Sequence, residues 1–159
     1  MSDSWDTFIA ALGEESAALG RVHAAASELT KVLVGGTPAE IMTAERVLDG
    51  ARRAYQASSG KRRAMQNRGF GRMTLRQVCG YAPRRLAPAI NQRLYELTTL
   101  SIGLRISANN NKALIVGGLD RLMQVTTALQ KAANEGPRTY RRRGFIPPPS
   151  NSVLVSSKA

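Results

Sequence analysis

Trp5, Phe8, Leu12, Leu19, Val22, Ala26, Leu29 and Leu33 recur at alternating intervals of three and four residues, with Glu15 the one polar member of the series. Such a heptad stripe predicts a long helix that lays one face on other helices. Ser2 or Ser4 supplies an N-cap, and Asp3 and Asp6 lie where the positive end of the helix dipole favours acids. The intervening alanines raise helix propensity, and Gly35-Gly36 ends the pattern, so the first helix is expected over about residues 3–34.

Thr37-Pro38-Ala39-Glu40 restarts it. Threonine caps, proline is tolerated at the first helical position, and the glutamate three residues on completes a capping box. Ile41, Ala44, Leu48, Ala51 and Tyr55 share one face; the pattern weakens through Ser58-Ser59-Gly60, but Arg62 and Met65 keep the phase. A second helix over about 38–67, joined by two glycines to the first, predicts an antiparallel hairpin. Arg68-Gly69-Phe70-Gly71-Arg72 breaks the periodicity, and Thr74-Leu75-Arg76-Gln77 offers another capping box for a short helix over about 74–79.

After Tyr81-Ala82-Pro83 the longest series begins: Ile90, Leu94, Leu97, Ser101, Leu104, Ala108, Asn111, Ile115, Gly118, Leu122, Val125, Leu129 and Ala132. It predicts a helix over about 84–135, roughly 70 Å long at 1.5 Å per residue. Asn109-Asn110-Asn111 and Gly117-Gly118 are soft points in it, and Gly136-Pro137 stops it. Residues 137–159 read as a flexible tail with Arg141-Arg142-Arg143, three consecutive prolines and a Ser/Asn-rich end. The apolar residues within it, Tyr140 and Val153-Leu154-Val155 among them, either form a docking motif or are carried passively. The expected class is all-α: an antiparallel hairpin plus a long C-terminal helix, a coiled-coil-like three-helix bundle over 1–136, and the tail.

Composition narrows the chemistry. With 43% hydrophobic and 21% charged residues, wholesale disorder is excluded. One cysteine, Cys79, and one histidine, His23, leave no disulfide framework and no Cys/His metal cluster. The apolar stretch 32–34 is too short for a signal peptide or a membrane span, so a soluble cytoplasmic protein is expected. Cys79, with Arg76 and Arg84 nearby, has cations that would lower its pKa, but a structural role is the simpler reading. Gly69-Phe70-Gly71 lacks the lysine and flanking strand of a phosphate loop. No enzyme, cofactor or metal is implied.

The net charge of +12 is unevenly placed. Residues 1–50 carry eight acids and three bases, a balance of −5; residues 51–159 carry three acids and twenty bases, a balance of +17. Either nucleic acid or an acidic helix lying against a basic one accounts for this split. Scarce aromatics and scattered cations argue against a nucleic-acid reading module.

The long helix is the main functional clue. If the hairpin covers only its first half, then Ile115, Leu119, Leu122, Val125 and Leu129 form an apolar seam in need of a partner; a hairpin reaching the whole length would cover it. A basic nucleic-acid-binding protein and a structural coiled-coil oligomer are the other readings.

The layout resembles the FlgN-type flagellar export chaperones. The likeness lies in Leu12-Gly-Glu-Glu-Ser16 with Leu19, a break near Gly36, and Gly69-Phe-Gly-Arg-Met-Thr-Leu75 between helices. It continues in Asn110-Asn111-Lys112-Ala113-Leu114-Ile115 and in Thr139-Tyr140 with Gly144. The resemblance implies a cytoplasmic chaperone, monomeric or weakly dimeric, that holds hook–filament junction proteins before secretion. It implies that Ile115, Leu119, Leu122, Val125 and Leu129 engage the cargo's helical C-terminus and that Tyr140 docks on the export-gate membrane protein. The isoelectric point, near 11.0, departs from what is common in that family.

Overall fold

A computed structural model of the chain describes residues 2–135. It is all-α, with no strand among the described residues. The helices are α1 (Ser2–Gly35), α2 (Pro38–Phe70), α3 (Leu75–Gly80) and α4 (Ala87–Glu135). The chain forms two compact units, Met1–Asp120 and Arg121–Ala159. The tail expected over 137–159, Tyr140 included, lies outside the described residues.

Both capping boxes form. The Thr37 N–H donates to Glu40 Oε2 at 2.7 Å while the Glu40 N–H donates to Thr37 Oγ1 at 3.3 Å. The Thr74 N–H donates to Gln77 Oε1 at 2.8 Å, and the Gln77 N–H returns to Thr74 Oγ1 at 3.3 Å. Each pair satisfies helix N–H groups that have no intrahelical partner. α2 continues through Gly69 and Phe70 because the Phe70 ring packs on Trp5 and Phe8, at centroid separations of 4.6 and 5.4 Å. It ends at Gly71, whose φ of 66° is a backbone conformation that side chains disfavour.

Within Met1–Asp120, α1 supplies most of the buried residues. One cluster joins Val22, Ala25, Ala26 and Leu29 of α1 to Ala44 and Leu48 near the start of α2. A second joins Phe8 and Leu12 to Val78 of α3, with Phe70 from the end of α2 packed against it. The start of α1 thus meets the end of α2, and the reverse, so the two helices run antiparallel. Between the clusters Glu15, the polar member of the stripe, is buried and paired with Arg62, whose Nε lies 2.6 Å from Glu15 Oε2. Arg62 also donates to Gln66 Oε1, and Gln66 Nε2 donates to the Met73 carbonyl, tying the turn before α3 into the pair. The neighbouring Glu14 meets Lys61 at 2.9 Å on the surface. Part of the charge asymmetry is therefore internal: acids of α1 face bases of α2.

α4 adds Leu97 and Leu104 to the two apolar clusters and meets α1 through close glycine and polar contacts as well. Arg93 lies over Gly13, Leu100 over Gly20, and His23 over Gly103, where a Cβ would sit 2.8 Å from His23 Nε2. Ser16 donates to Glu96 Oε2 at 3.3 Å. The Thr30 hydroxyl donates to Asn111 Oδ1 at 2.7 Å, and Asn111 Nδ2 donates to the Ala26 carbonyl at 3.0 Å. Asn111, expected to soften the helix, is instead buried and anchors α4 to α1. Neither it nor Gly117-Gly118 interrupts α4.

Candidate partner-binding site

The seam of α4 in Met1–Asp120 differs from the sequence stripe at alternate positions. Ile90 and Asn111 are buried and Leu97 and Leu104 half-buried, as the stripe requires. Between them Leu100, Ser107 and Leu114 are covered, whereas the stripe members Ser101, Ala108 and Ile115 are exposed. Leu100 packs beside Gly20 of α1, where a Cβ would lie 4.0 Å from Leu100 Cδ1. The inward positions fall three residues after Leu97, Leu104 and Asn111, and the residues four after them turn aside.

That displacement builds a groove. Ala108 and Ile115, turned off the seam, form with α2 the two sides of a trough whose floor is Ala26, Leu29, Leu48 and Leu104. Its volume is about 660 Å³. Met42, Arg46 and Arg52 stand on the α2 side; Lys112 and Val116 stand on the α4 side. Met42 and Val116 are large apolar side chains left about half exposed (55% and 49%). None of these flanking residues except Ile115 belongs to the sequence-derived site. The available signal was their spacing: Met42 with Arg46, and Lys112 with Val116, are pairs four residues apart on one helix face.

The five expected cargo residues are solvent-facing. In Met1–Asp120, Ile115 lines the groove and Leu119 is exposed one turn further on. In Arg121–Ala159, every residue from 121 to 134 is exposed. Leu122, Val125 and Leu129 there are spaced three and four apart, on one face of the helix, with Met123 exposed beside them. The five range from 43% to 66% exposed. Tyr140 lies outside the described residues.

Among the described residues no group of three or more His, Cys, Asp or Glu is placed to hold a metal ion. The Cys79 thiol is pushed up by burial, an effect that the Arg62 cation partly opposes. The expectation that Arg76 and Arg84 would lower it is thus corrected: desolvation outweighs the cations, and the cation that acts is Arg62. His23 is half-buried against Gly103. No helix among the described residues is long and apolar enough to cross a membrane.

These features define a helical protein whose conspicuous surface equipment is an apolar groove and an apolar helix face. Compared with protein-family models, curated proteins and solved structures, the chain gives no significant match.

Proposed function

We propose that this chain is a cytoplasmic flagellar export chaperone of the FlgN type. It binds the helical C-termini of hook–filament junction proteins, prevents their premature association and delivers them to the export gate. The observation that carries the reading is the exposure of Leu122, Val125 and Leu129 along one helix face. Ile115 and Leu119 are likewise exposed in Met1–Asp120. Large aliphatic side chains held in water on a regular helix face are a partner surface. An amphipathic helix laid on such a face is held by residues at three- and four-residue spacing.

The mechanism is protective burial. The cargo's terminal helix carries an apolar face that would associate with other subunits, and the chaperone covers it until export. About 1,000 Å² per partner suffices for micromolar to nanomolar affinity when the ordering penalties are small. A preformed helix as platform keeps those penalties down. The hairpin's part is to hold α4: α1 and α2 form the antiparallel arm, and the Thr30–Asn111–Ala26 hydrogen bonds fix α4 to it. The protein acts by binding alone, without cofactor or metal, and Tyr140 makes the export-gate contact.

The test is co-purification. Leu122→Asp combined with Leu129→Asp removes capture of the junction proteins while far-UV circular dichroism stays helical. Tyr140→Ala leaves capture intact and weakens binding to the export-gate protein. Undiminished capture by the double variant contradicts the assignment of the surface.

A further inference from the structure

We propose that the groove between α2 and α4 seats an acidic amphipathic helix of about three turns, presented by a partner protein. This rests on the reading above only in that the chain holds a helical partner; the groove residues that carry it are not those of the cargo face, Ile115 excepted. The groove is lined on α2 from Met42 to Arg52 and on α4 from Leu104 to Val116. At 1.5 Å per residue these spans are about 15 and 18 Å, the length of an eleven- or twelve-residue helix. Its floor is aliphatic apart from Asn111, whose amide is engaged by Thr30 and Ala26, so the incoming face is mainly aliphatic, with anchors three and four residues apart.

Charge sets the sign of the flanks. Arg46 and Arg52 on one side and Lys112 on the other are exposed, and none takes part in an ion pair among the described residues. Of the two acids on the α2 side, Asp49 is already neutralised by Arg53, which leaves Glu45. Three cations therefore face one anion across the trough. A helix with acids flanking its apolar stripe meets cations on both sides, which favours its capture and its register.

A second copy of this chain does not meet that description. Its exposed helix face, from 121 to 134, carries Arg121 and Lys131 and no acid. Its acidic helix α1 has Glu14, Glu15 and Glu28 in ion pairs already. The complementary chemistry has to come from another protein.

The experiment titrates the full chain with two fluorescein-labelled peptides of about fourteen residues, long enough to fill the groove. Both carry leucines at alternating three- and four-residue spacing; one has glutamates on the flanks and the other lysines in the same places. The acidic peptide should bind at micromolar concentration, weaken with added salt, and exceed the basic peptide by about tenfold or more. Arg52→Glu with Lys112→Glu, which reverses one exposed cation on each side, should invert that preference. Met42→Asp should weaken both peptides.

Leu122→Asp with Leu129→Asp should leave peptide binding unchanged, which separates this proposal from the cargo-face reading. If that variant loses junction proteins while neither peptide binds, the groove proposal falls and the chaperone reading stands. If the acidic peptide binds and junction proteins do not, the reverse holds. Equal affinity for the two peptides, or a preference that does not invert, overturns the proposal. So does self-association in sedimentation that Met42→Asp abolishes, which gives the groove to a second copy. Displacement of the acidic peptide by a generic duplex oligonucleotide gives it to nucleic acid.

Discussion

Arg62→Met takes the charge out of the middle of the hairpin while keeping most of the side-chain volume. In the native chain the Arg62 and Glu15 side chains are only 9% and 4% exposed. Arg62 Nε and Nη2 lie 2.6 and 3.4 Å from the two Glu15 oxygens, and Nη1 reaches Gln66. The substitution leaves a carboxylate buried between helices with its counter-ion gone and Gln66 short of one donor. Breaking one side of such a pair destabilises by about 3–5 kcal/mol, because the surviving charge keeps its desolvation penalty. That is a large part of the 5–15 kcal/mol or so that holds a domain together. Glu15→Leu combined with Arg62→Met removes both charges and should be close to neutral or stabilising by about 1–4 kcal/mol. Urea unfolding followed by far-UV circular dichroism measures all three variants, and the double-mutant cycle isolates the pair. A loss below about 1 kcal/mol in Arg62→Met is the value of a solvated surface pair and would mean that the pair is not buried.

Further outcomes follow from the other contacts. Gly103→Ala crowds His23, whose Nε2 would lie 2.8 Å from the new Cβ; overpacking of about 1–3 kcal/mol is expected. His23→Ala in the same chain should turn that loss into a gain, since alanine is the better helix former. The same unfolding assay checks it; additive effects contradict the close approach. The Glu40 carboxyl is held below its ordinary value of 4.5 first by the Thr37 backbone N–H and then by the Thr37 hydroxyl. The Glu96 carboxyl is held down first by the Arg93 guanidinium, then by Gln92. Lowered carboxylates stabilise the fold above 4.5, and the contribution disappears as pH falls through their folded values. The melting temperature should therefore drop on acidification below about pH 4.5, and less steeply in Glu40→Gln with Glu96→Gln. Cys79, raised by burial, should react with iodoacetamide more slowly than an unstructured cysteine peptide at the same pH. Arg62→Met, which removes the opposing cation, should slow it further; a faster rate would mean that Arg62 does not lower the thiol pKa.

The all-helical class was legible because it rests on local signals. The three-and-four spacing, the two Thr-x-x-Glu/Gln boxes and the glycine breaks each specify helix or helix end without long-range information. The Arg62 partner was half legible: Glu15 stood out as the one polar residue in an apolar stripe, and Arg62 kept the phase of α2. What the sequence did not convey depends on which helix lies against which. Asn111 reads as a weak point until Ala26 and Thr30 come within hydrogen-bonding distance. Leu100, Ser107 and Leu114 are half-buried where Ser101, Ala108 and Ile115 are exposed, a choice that depends on how α4 meets the other helices. The groove follows from that same choice, so Met42, Arg46, Arg52 and Val116 were invisible to a reading confined to one stripe.

The proposed chaperone function requires that Leu122, Val125 and Leu129 of α4 receive the helical terminus of a junction protein. Calorimetric titration of the purified chain with the C-terminal helical segment of a hook–filament junction protein measures it directly. One-to-one binding at micromolar affinity or tighter, with a negative heat-capacity change from apolar burial, is expected, and it should be lost in Leu122→Asp with Leu129→Asp. Absence of binding by the wild-type chain, or equal binding by the double variant, would contradict it.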